Sequence, residues 1–361
     1  MHGKFWTFDQ SAYERLDTLM KVVSPSMDET AMAAFLRRQW ADCGFAPETD
    51  VMGSLYACCR GEREIDLAIC AHMDTVAVQV TRILPNGMLQ FRRIGLTSHV
   101  LLGQRLKIKT SKGVIPGVVG FDPTSQYGQP KGLVDEDLWI DICACSQAEA
   151  ESMVSIGDLG VIEGGLAPFK DGFLCGSGID DRIGIFVLNE CMKWYADKKT
   201  PVNLHFVATA QEEVGLRGGA VAAARHKPDA CIILDVDYAT DTLVPHENQM
   251  GPLRLGCGPG MQVKADNNPV LRRIAVETAQ KMGMDYQISV GRFVYGGTDS
   301  SPIQVTGKGV ATLNLNIPCR YMHSPVEICS SKDVESAVNL LIGVISTIGS
   351  RESSTFIPGI D

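Results

Sequence analysis

The sequence has 361 residues, of which 45% are hydrophobic and 21% charged, and its formal net charge is −9. This length allows one large domain or two smaller ones, and the composition is typical of a folded globular protein. The acidic balance argues against nucleic acid or an anionic membrane as a main partner. The amino-terminal segment lacks the apolar core of a signal peptide, and no stretch is long and uncharged enough to span a bilayer, so we expect a cytoplasmic protein.

The 12 cysteines are scattered along the chain, many within apolar segments such as DLAIC and CIILD. None forms a Cys-x-x-Cys pair with a matching second pair, which excludes a zinc ribbon. The nearest arrangements are the adjacent Cys58 and Cys59 and the spaced pair Cys143 and Cys145. We therefore expect most cysteines to be reduced thiols in a hydrophobic core.

The first 75 residues predict two helices followed by strands. Apolar residues at helical spacing indicate one helix on each side of Pro25, within residues 9–45. Strands follow within residues 50–71, and the last of them lies in the continuous apolar run IDLAICAHMD. A strand that is apolar on both faces is typical of the centre of a sheet that is covered on both sides.

The pattern changes between about Val76 and Val161. Short β-like runs such as GMLQFRRIG and QRLKIKTSKGVIPGVVG are separated by glycine and proline, and turn signals recur at short intervals. This pattern predicts a small β domain inserted at residues 76–165. The larger domain would then be discontinuous and comprise residues 1–75 and 166–361.

From Gly172 onward, strands alternate with helices. Strands are predicted at 202–210, 230–235, 286–290 and 310–317, and helices at 216–225, 268–283 and 333–348. Such alternation favours a mainly parallel sheet sandwiched by helices. The predicted fold class is therefore α/β with an inserted small β domain.

Histidines and carboxylates follow the predicted carboxyl ends of several strands. In open α/β sheets, ligands bind at that edge, so side chains that are far apart in sequence can converge there. The residues in these positions are His72 and Asp74, Asp180 and Asp181, Glu212 and Glu213, Asp235, and His323.

Two histidines and several carboxylates, without cysteine, form a ligand set that suits zinc, cobalt or manganese. Each piece also has an ordinary explanation, since a lone His-x-Asp is a common accident and Asp180 could simply cap the helix that follows it. Their shared position at strand ends favours a joint metal site. One carboxylate can bridge two metal ions, and such pairs serve hydrolysis of carbonyl and phosphoryl bonds.

The same residues lie in motifs that resemble the M42 family of metallo-aminopeptidases, which includes glutamyl and tetrahedral aminopeptidases. The resemblance covers nearly the whole chain in the same order, including the insert segment VLLGQRLKIKTSKGVIPGVVG. It implies a zinc-exopeptidase-like catalytic domain and an inserted β domain that is PDZ-like or a β-barrel. The motifs are AHMD (71–74), IDDRIG (179–184), QEEVGLRGG (211–219), DVDYATD (235–241), GGTDS (296–300) and RYMHSPVE (320–327).

The resemblance also implies two divalent metal ions per subunit, zinc or cobalt. His72 and Asp235 would hold the first ion, and Glu213 and His323 the second. Asp180 would bridge the two ions.

Further roles follow from the resemblance for residues beside these ligands. Glu212 would be the general base, Asp74 would orient His72, and the peptide bond between Asp180 and Asp181 is expected to be cis. Asp299, in the GGTDS motif, is expected either to cap a helix or to position substrate. Thr75 and Ala77 depart from the glutamate and glycine that are common in relatives, but neither position is a ligand.

The implied function is a metal-dependent aminopeptidase that hydrolyses amino-terminal residues from peptides. A related two-metal carboxypeptidase or deacylase remains an alternative. An endoglucanase is less favoured, because the adjacent Glu212 and Glu213 cannot easily flank one glycosidic bond. A non-catalytic scaffold is a further alternative, and the preferred terminal residue stays open.

The resemblance finally implies an assembly. Family members dimerise through the inserted domain and often form hollow tetrahedral particles, so a homo-oligomer is expected. Peptides are the expected substrates, and neither nucleic acid nor a membrane is an expected partner.

Overall fold

The continuous apolar runs of the sequence form the central strands of a mixed eight-stranded sheet. The computed structural model describes residues 4–122, 134–167, 169–244 and 246–359. Helices cover both faces of this sheet, and a closed six-stranded barrel is formed by chain segments that lie between sheet strands in sequence.

The helices alternate with strands through most of the chain. They are α1 (Gln10–Met20), α2 (Thr30–Asp42), α3 (Ser98–Leu101), α4 (Gln147–Met153), α5 (Ile179–Tyr195), α6 (Arg217–His226), α7 (Glu247–Met250), α8 (Pro269–Met282), α9 (Ser300–Gln304) and α10 (Ser331–Ser350).

The strands belong to three sheets. The eight-stranded sheet contains β1 (Glu48–Thr49), β2 (Leu55–Cys59), β3 (Gly61–His72), β12 (Thr200–Thr209), β13 (Ala230–Tyr238), β14 (Gly260–Gln262), β15 (Gln287–Ser289) and β16 (Ala311–Cys319). The barrel contains β4 (Ala77–Ile83), β5 (Leu89–Ile94), β6 (Arg105–Thr110), β7 (Gly113–Phe121), β8 (Leu138–Asp141) and β9 (Leu159–Ile162). A three-stranded sheet contains β10 (Gly165–Ala167), β11 (Phe173–Ser177) and β17 (Glu327–Ser330).

Strand order in the large sheet is β1-β2-β12-β3-β13-β16-β14-β15. The four central strands, β12, β3, β13 and β16, run parallel to their neighbours in this group. The flanking strands β2 and β14 are antiparallel to the central group. The carboxyl ends of the four central strands therefore meet at one edge of the sheet.

Alternate residues of each central strand pack into different layers. On β3, Leu67 and Ile69 join a core shared with α1, α2, α5, α8 and α10. The intervening Ala68 and Cys70 pack on the opposite face, against α6 and α9. This two-sided burial explains why the strand is apolar at every position from Leu67 to Ala71, as a covered parallel sheet requires.

The barrel has a hydrophobic core of its own, built from residues such as Leu89, Ile108 and Ile140. Its strands are hydrogen-bonded in the order β4-β5-β8-β7-β6-β9 and the sheet closes on itself. Antiparallel pairs join all of these strands. A role of the barrel in dimerisation, and the boundaries of the inserted domain, stay predictions.

The predicted fold class is confirmed: a mainly parallel sheet lies between helices, and a small β-barrel is inserted. The predicted helices at 268–283 and 333–348 correspond to α8 and α10. The antiparallel flanking strands and the three-stranded sheet were not predicted. Within the described residues, no helix combines the length and apolarity that crossing a membrane requires.

Candidate metal centre

Five predicted ligands converge at the carboxyl edge of the parallel strands. His72 is the last residue of β3, Asp235 lies in β13, and Asp180 lies at the start of α5. Glu213 follows β12 and His323 follows β16. We call these five residues the acidic centre. The parallel strands bring His72, Asp235, Glu213 and His323 to one edge, whereas Asp180 reaches it from β11 of the three-stranded sheet through the start of α5.

Asp180 occupies the middle of the acidic centre. Its Oδ1 lies 3.0 Å from Nε2 of His72, and its Oδ2 lies 3.2 Å from Nε2 of His323. His72 Nε2 is also 3.9 Å from Asp235 Oδ1, and His323 Nε2 is 3.3 Å from Glu213 Oε2. The two oxygens of one carboxylate thus face two different imidazole groups, each of which has a second carboxylate partner.

The backbone around Asp180 departs from a regular helix. The peptide bond between Asp180 and Asp181 is cis, as the family resemblance implied. Asp181 points its two oxygens at the backbone N–H groups of His72 (3.2 Å) and Gly184 (2.9 Å). Asp181 therefore positions β3 against α5, while Asp180 faces the acidic centre.

Asp74 connects His72 to both glutamates. Nδ1 of His72 lies 3.1 Å from the main-chain oxygen of Asp74 and 3.4 Å from its Oδ1. The carboxylate of Asp74 accepts hydrogen bonds from the backbone N–H groups of Glu212 and Glu213, both at 3.1 Å, and from the Ser26 hydroxyl at 2.8 Å. Contacts at Nδ1 leave Nε2 of His72 to face the carboxylates.

The inserted barrel also reaches the acidic centre. Nδ1 of His323 lies 3.0 Å from the main-chain oxygen of Gly95, which follows barrel strand β5. With Nδ1 directed at that carbonyl, Nε2 of His323 faces the Asp180 and Glu213 carboxylates, 3.2 and 3.3 Å away. The orientation of this imidazole thus depends on the barrel, which no sequence motif indicated.

A buried glutamate, Glu327, braces two of the ligands. One oxygen accepts a hydrogen bond from the backbone N–H of His323 at 2.7 Å, and the other accepts from that of Asp180 at 3.3 Å. Only 1% of Glu327 is exposed. Sequence reasoning missed this role, and the available signal was weak: Glu327 closes the motif RYMHSPVE four residues after His323.

The acidic centre contains three carboxylates and two imidazoles, so its negative groups outnumber the groups that can carry positive charge. Burial, followed by the negative charge of Asp180, raises the pKa of Asp235 to about 7, and the same causes raise the pKa of Glu213. Burial acts on Asp180 too, but hydrogen bonds with His323 and His72 hold the pKa of Asp180 below its ordinary value. Buried carboxylates in this arrangement repel one another unless a cation lies between them.

The donor set fits divalent metal ions. Asp180, Glu213 and His323 offer ligand atoms that all lie within 4.8 Å of one another, and so do His72, Glu212 and Glu213. Oε1 of Glu213 is buried and, among the described residues, has no hydrogen-bond partner. A buried carboxylate oxygen without a protein donor is suited to bind a cation, and oxygen and imidazole ligands together suit zinc or cobalt.

Glu212 differs from its neighbour Glu213 in its surroundings. Both glutamates lie near His72, and Glu213 also contacts His323. Burial raises the pKa of Glu212 well above its ordinary value; the positive charge of His72 opposes this and the charge of Glu213 adds to it. Adjacent side chains leaving a strand end point in different directions, so the two carboxylates can serve different purposes.

Asp299 lies beneath this site. It occupies the residue before α9 but makes no capping hydrogen bond to that helix through its side chain. Instead, its Oδ2 accepts a hydrogen bond from the Thr209 hydroxyl at 2.6 Å. Its carboxylate thus holds Thr209, the last residue of β12, and Glu212 and Glu213 lie in the loop that follows this strand.

A cleft of about 380 Å³ opens onto the acidic centre. One side carries the acidic centre and Glu212. The other side carries both charged and apolar groups, including Asp237, Lys264, Arg292 and Phe293. This volume accommodates a small group such as an amino-acid residue at the end of a chain.

Residues 53–340 match the family model described as M42 glutamyl aminopeptidase. The chain is 32% identical to a putative aminopeptidase of Acetivibrio thermocellus over 93% of this chain and 99% of that protein. It is also 32% identical to a lysyl aminopeptidase of Pyrococcus furiosus, over 81% and 84% of the two chains. Among solved structures, the TET1 peptidase of Pyrococcus horikoshii superposes with a TM-score of 0.84 at 29% identity, covering 92% of this chain and 99% of that one.

Proposed function

Because the chain belongs to the M42 glutamyl aminopeptidase family and is therefore a metal-dependent aminopeptidase, we propose that it works through two divalent cations and a glutamate base. The observation that carries the proposal is the position of Asp180, whose two oxygens lie 3.0 and 3.2 Å from two separate imidazoles. A carboxylate in that position can be shared by two cations.

The acidic centre supplies ligands for both ions. His72 and Asp235 would hold one cation, His323 and Glu213 the other, and Asp180 would contribute one oxygen to each. Zinc and cobalt are the proposed metals, because imidazole and carboxylate ligands suit both. Bound there, divalent cations would supply the Lewis acidity that activates water and polarises the scissile carbonyl.

Glu212 performs the proton transfers in this proposal. Its carboxylate accepts a proton from the attacking water and later delivers it to the nitrogen of the leaving amine. Hydrogen bonds from the backbone N–H groups of Glu212 and Glu213 to Asp74 fix both residues relative to His72. Asp74 is therefore a positioning residue, and Glu212 is the catalytic one.

Two neighbouring substitutions test this division. Glu212→Gln should retain both metal ions and lower kcat by about 10²- to 10⁴-fold, the usual contribution of a general base. Glu213→Gln should instead lose metal, which elemental analysis of the purified protein measures directly. Wild-type turnover in Glu212→Gln would remove Glu212 from the role of base, and one bound ion per wild-type chain after zinc loading would refute the two-metal centre.

Peptides with a free amino terminus are the proposed substrates. A panel of leucyl, glutamyl and lysyl anilides, each with and without an acetylated amino group, tests this point with zinc- and cobalt-loaded enzyme. We expect hydrolysis of the free amines only. Hydrolysis of the acetylated compounds would favour a related two-metal carboxypeptidase or deacylase instead.

We propose a homo-oligomer that assembles through the barrel. The TET1 peptidase of Pyrococcus horikoshii can assemble into a tetrahedron or a large octahedral shell. On the barrel of the present chain, Val114 and Val118 of β7 are 50% and 46% exposed. Neighbouring exposed apolar residues are typical of an interface. Val118→Asp should lower the light-scattering mass, and an unchanged mass would exclude β7 from the contact.

The cytoplasm remains the proposed location. All 12 cysteines lie within the described residues, and all are free thiols. Six are buried, as expected for core thiols, but Cys58, Cys143, Cys145 and Cys257 are exposed. Exposed free thiols persist most readily in a reducing compartment, and fractionation of cells tests the assignment.

A further inference from the structure

A second group of metal-ligand residues lies away from the acidic centre. Cys58 is on β2 and His205 on β12, and the antiparallel register of these strands places the two residues directly opposite each other. His226 is the last residue of α6, which packs over the same face of the sheet. We call Cys58, His205 and His226 the thiol cluster.

The atoms of the thiol cluster are close enough to share one ion. Sγ of Cys58 lies 3.2 Å from Nδ1 of His205, and one ligand atom from each of the three residues lies within 4.8 Å of the others. In a tetrahedral zinc site, a sulfur and a nitrogen ligand are about 3.6 Å apart and two nitrogens about 3.4 Å, from the usual bond lengths. Small side-chain adjustments therefore suffice to bring all three onto one cation.

Two further observations distinguish the thiol cluster from a chance grouping. Nε2 of His205 lies 2.8 Å from Oδ1 of Asp66, which leaves Nδ1 available on the side of Cys58. A carboxylate on the far nitrogen is the usual support of a metal-bound histidine. In addition, Nε2 of His226 is buried and has no hydrogen-bond partner among the described residues. A thiol–imidazole hydrogen bond alone would explain the pair Cys58 and His205 but not His226.

We propose that Cys58, His205 and His226 bind a zinc ion through one thiolate and two imidazoles. Cys58 is exposed, so water completes the fourth position. The ion joins β2, β12 and α6, and the loop with Glu212 and Glu213 connects the last two of these elements. The site is thus a clamp on the elements that flank the glutamates, and it is independent of the aminopeptidase reaction.

Cobalt provides a selective probe, because the acidic centre contains no thiol. A thiolate bound to Co²⁺ gives an intense near-ultraviolet charge-transfer band, whereas carboxylate and imidazole ligands do not. The protein to use is the metal-free full chain in which the exposed Cys143, Cys145 and Cys257 are replaced by serine. We expect this protein to develop the band on titration with Co²⁺, and Zn²⁺ to abolish it by displacement.

Matched variants assign the band. Cys58→Ser should eliminate it, and His226→Gln should weaken Co²⁺ binding at the thiol at least tenfold, whereas His99→Gln, at an exposed histidine of the barrel, should change nothing. Anilide hydrolysis is recorded on the same samples, and Cys58→Ser should hydrolyse the anilides as fast as the starting protein. Absence of hydrolysis in the starting protein would contradict the proposed function but not the zinc site. Absence of the band from the starting protein, or its persistence in Cys58→Ser, would overturn the zinc site.

Discussion

The acidic centre and the thiol cluster lie on the same sheet but differ in burial and in chemistry. Strand β12 belongs to both, since His205 lies within the strand and Glu212 and Glu213 follow its end. The acidic centre is buried and dominated by carboxylates. The thiol cluster lies on a sheet face, half-exposed, and combines one thiol with two imidazoles.

This difference affects how each group behaves without metal. In the acidic centre, buried carboxylates face one another, and only a cation relieves their repulsion. Burial raises the pKa of the Cys58 thiol to about 11 and lowers the pKa of His226 to about 4, so these two groups are neutral without metal and the thiol cluster tolerates an empty state at little cost. Loss of metal should therefore disturb the acidic centre far more than the thiol cluster, and four substitutions test this contrast.

The largest effect is expected for Asp180→Asn. An amide offers one oxygen rather than two equivalent ones, so the shared ligand between His72 and His323 is lost. We expect kcat/KM for an aminoacyl anilide to fall at least about 10³-fold, since the proposed metal pair would supply several kcal/mol of charge stabilisation. The cobalt–thiolate band should be unchanged, and its disappearance would show that the two groups are coupled.

A smaller effect is expected for Glu327→Gln. The amide keeps one acceptor oxygen, so one of the two backbone hydrogen bonds, from His323 or from Asp180, is lost. Supporting residues of this kind change metal affinity by about 10- to 100-fold, and we expect a change near the upper end at the acidic centre. Competition with a chelator measures it, and a fully metal-loaded variant should recover most of its kcat. A loss of kcat that persists at saturating metal would contradict a positioning role.

The corresponding change at the thiol cluster is Asp66→Asn. It weakens the support of His205 and should lower cobalt affinity there by about tenfold, the lower end of the usual range, because the Asp66 side chain is 40% exposed. Anilide hydrolysis should be unaffected. If the cobalt affinity of Asp66→Asn equalled that of the starting protein, Asp66 would have no part in the site.

The smallest effect is expected for Ser26→Ala. This substitution removes the hydroxyl that donates to Asp74 Oδ2 at 2.8 Å in a fully buried position. The free energy of unfolding should fall by about 0.5–1.5 kcal/mol, which denaturant titration measures. Ser152→Ala, at an exposed hydroxyl of the barrel, is the control and should change stability less. Equal losses in both variants would argue that the hydrogen bond to Asp74 contributes nothing specific.

The residues of the acidic centre could be predicted because they lie in recognisable motifs at strand ends. His72, Asp235 and the two glutamates each follow an apolar run, and the period of such runs can be read from the sequence. The family resemblance predicted that Asp74 orients His72, but the supporting contacts of His323 could not be predicted. The main-chain oxygen of Gly95 contacts the His323 ring, and the Glu327 carboxylate accepts a hydrogen bond from the backbone N–H of His323. Contacts with backbone atoms leave no pattern of residue types in the sequence.

The thiol cluster shows the opposite case. Cys58, His205 and His226 have no motif spacing, and the sequence indicated only that the cysteines do not form a zinc ribbon. Their proximity depends on which strand lies beside β12 and on the register of that pair, which aligns Cys58 with His205. A shift of one residue would turn Cys58 to the other face of the sheet.

The sequence by itself determined the α/β class, the inserted β domain, most helices and strands, and the residue types at the strand ends. These features depend on local periodicity and on residues close together in the chain. The tertiary structure alone decided that the barrel orients His323, that Glu327 braces His323 and Asp180, and that Cys58 meets two histidines. The physical reason is that side-chain contacts across layers depend on strand order, register and packing, to which many distant residues contribute at once.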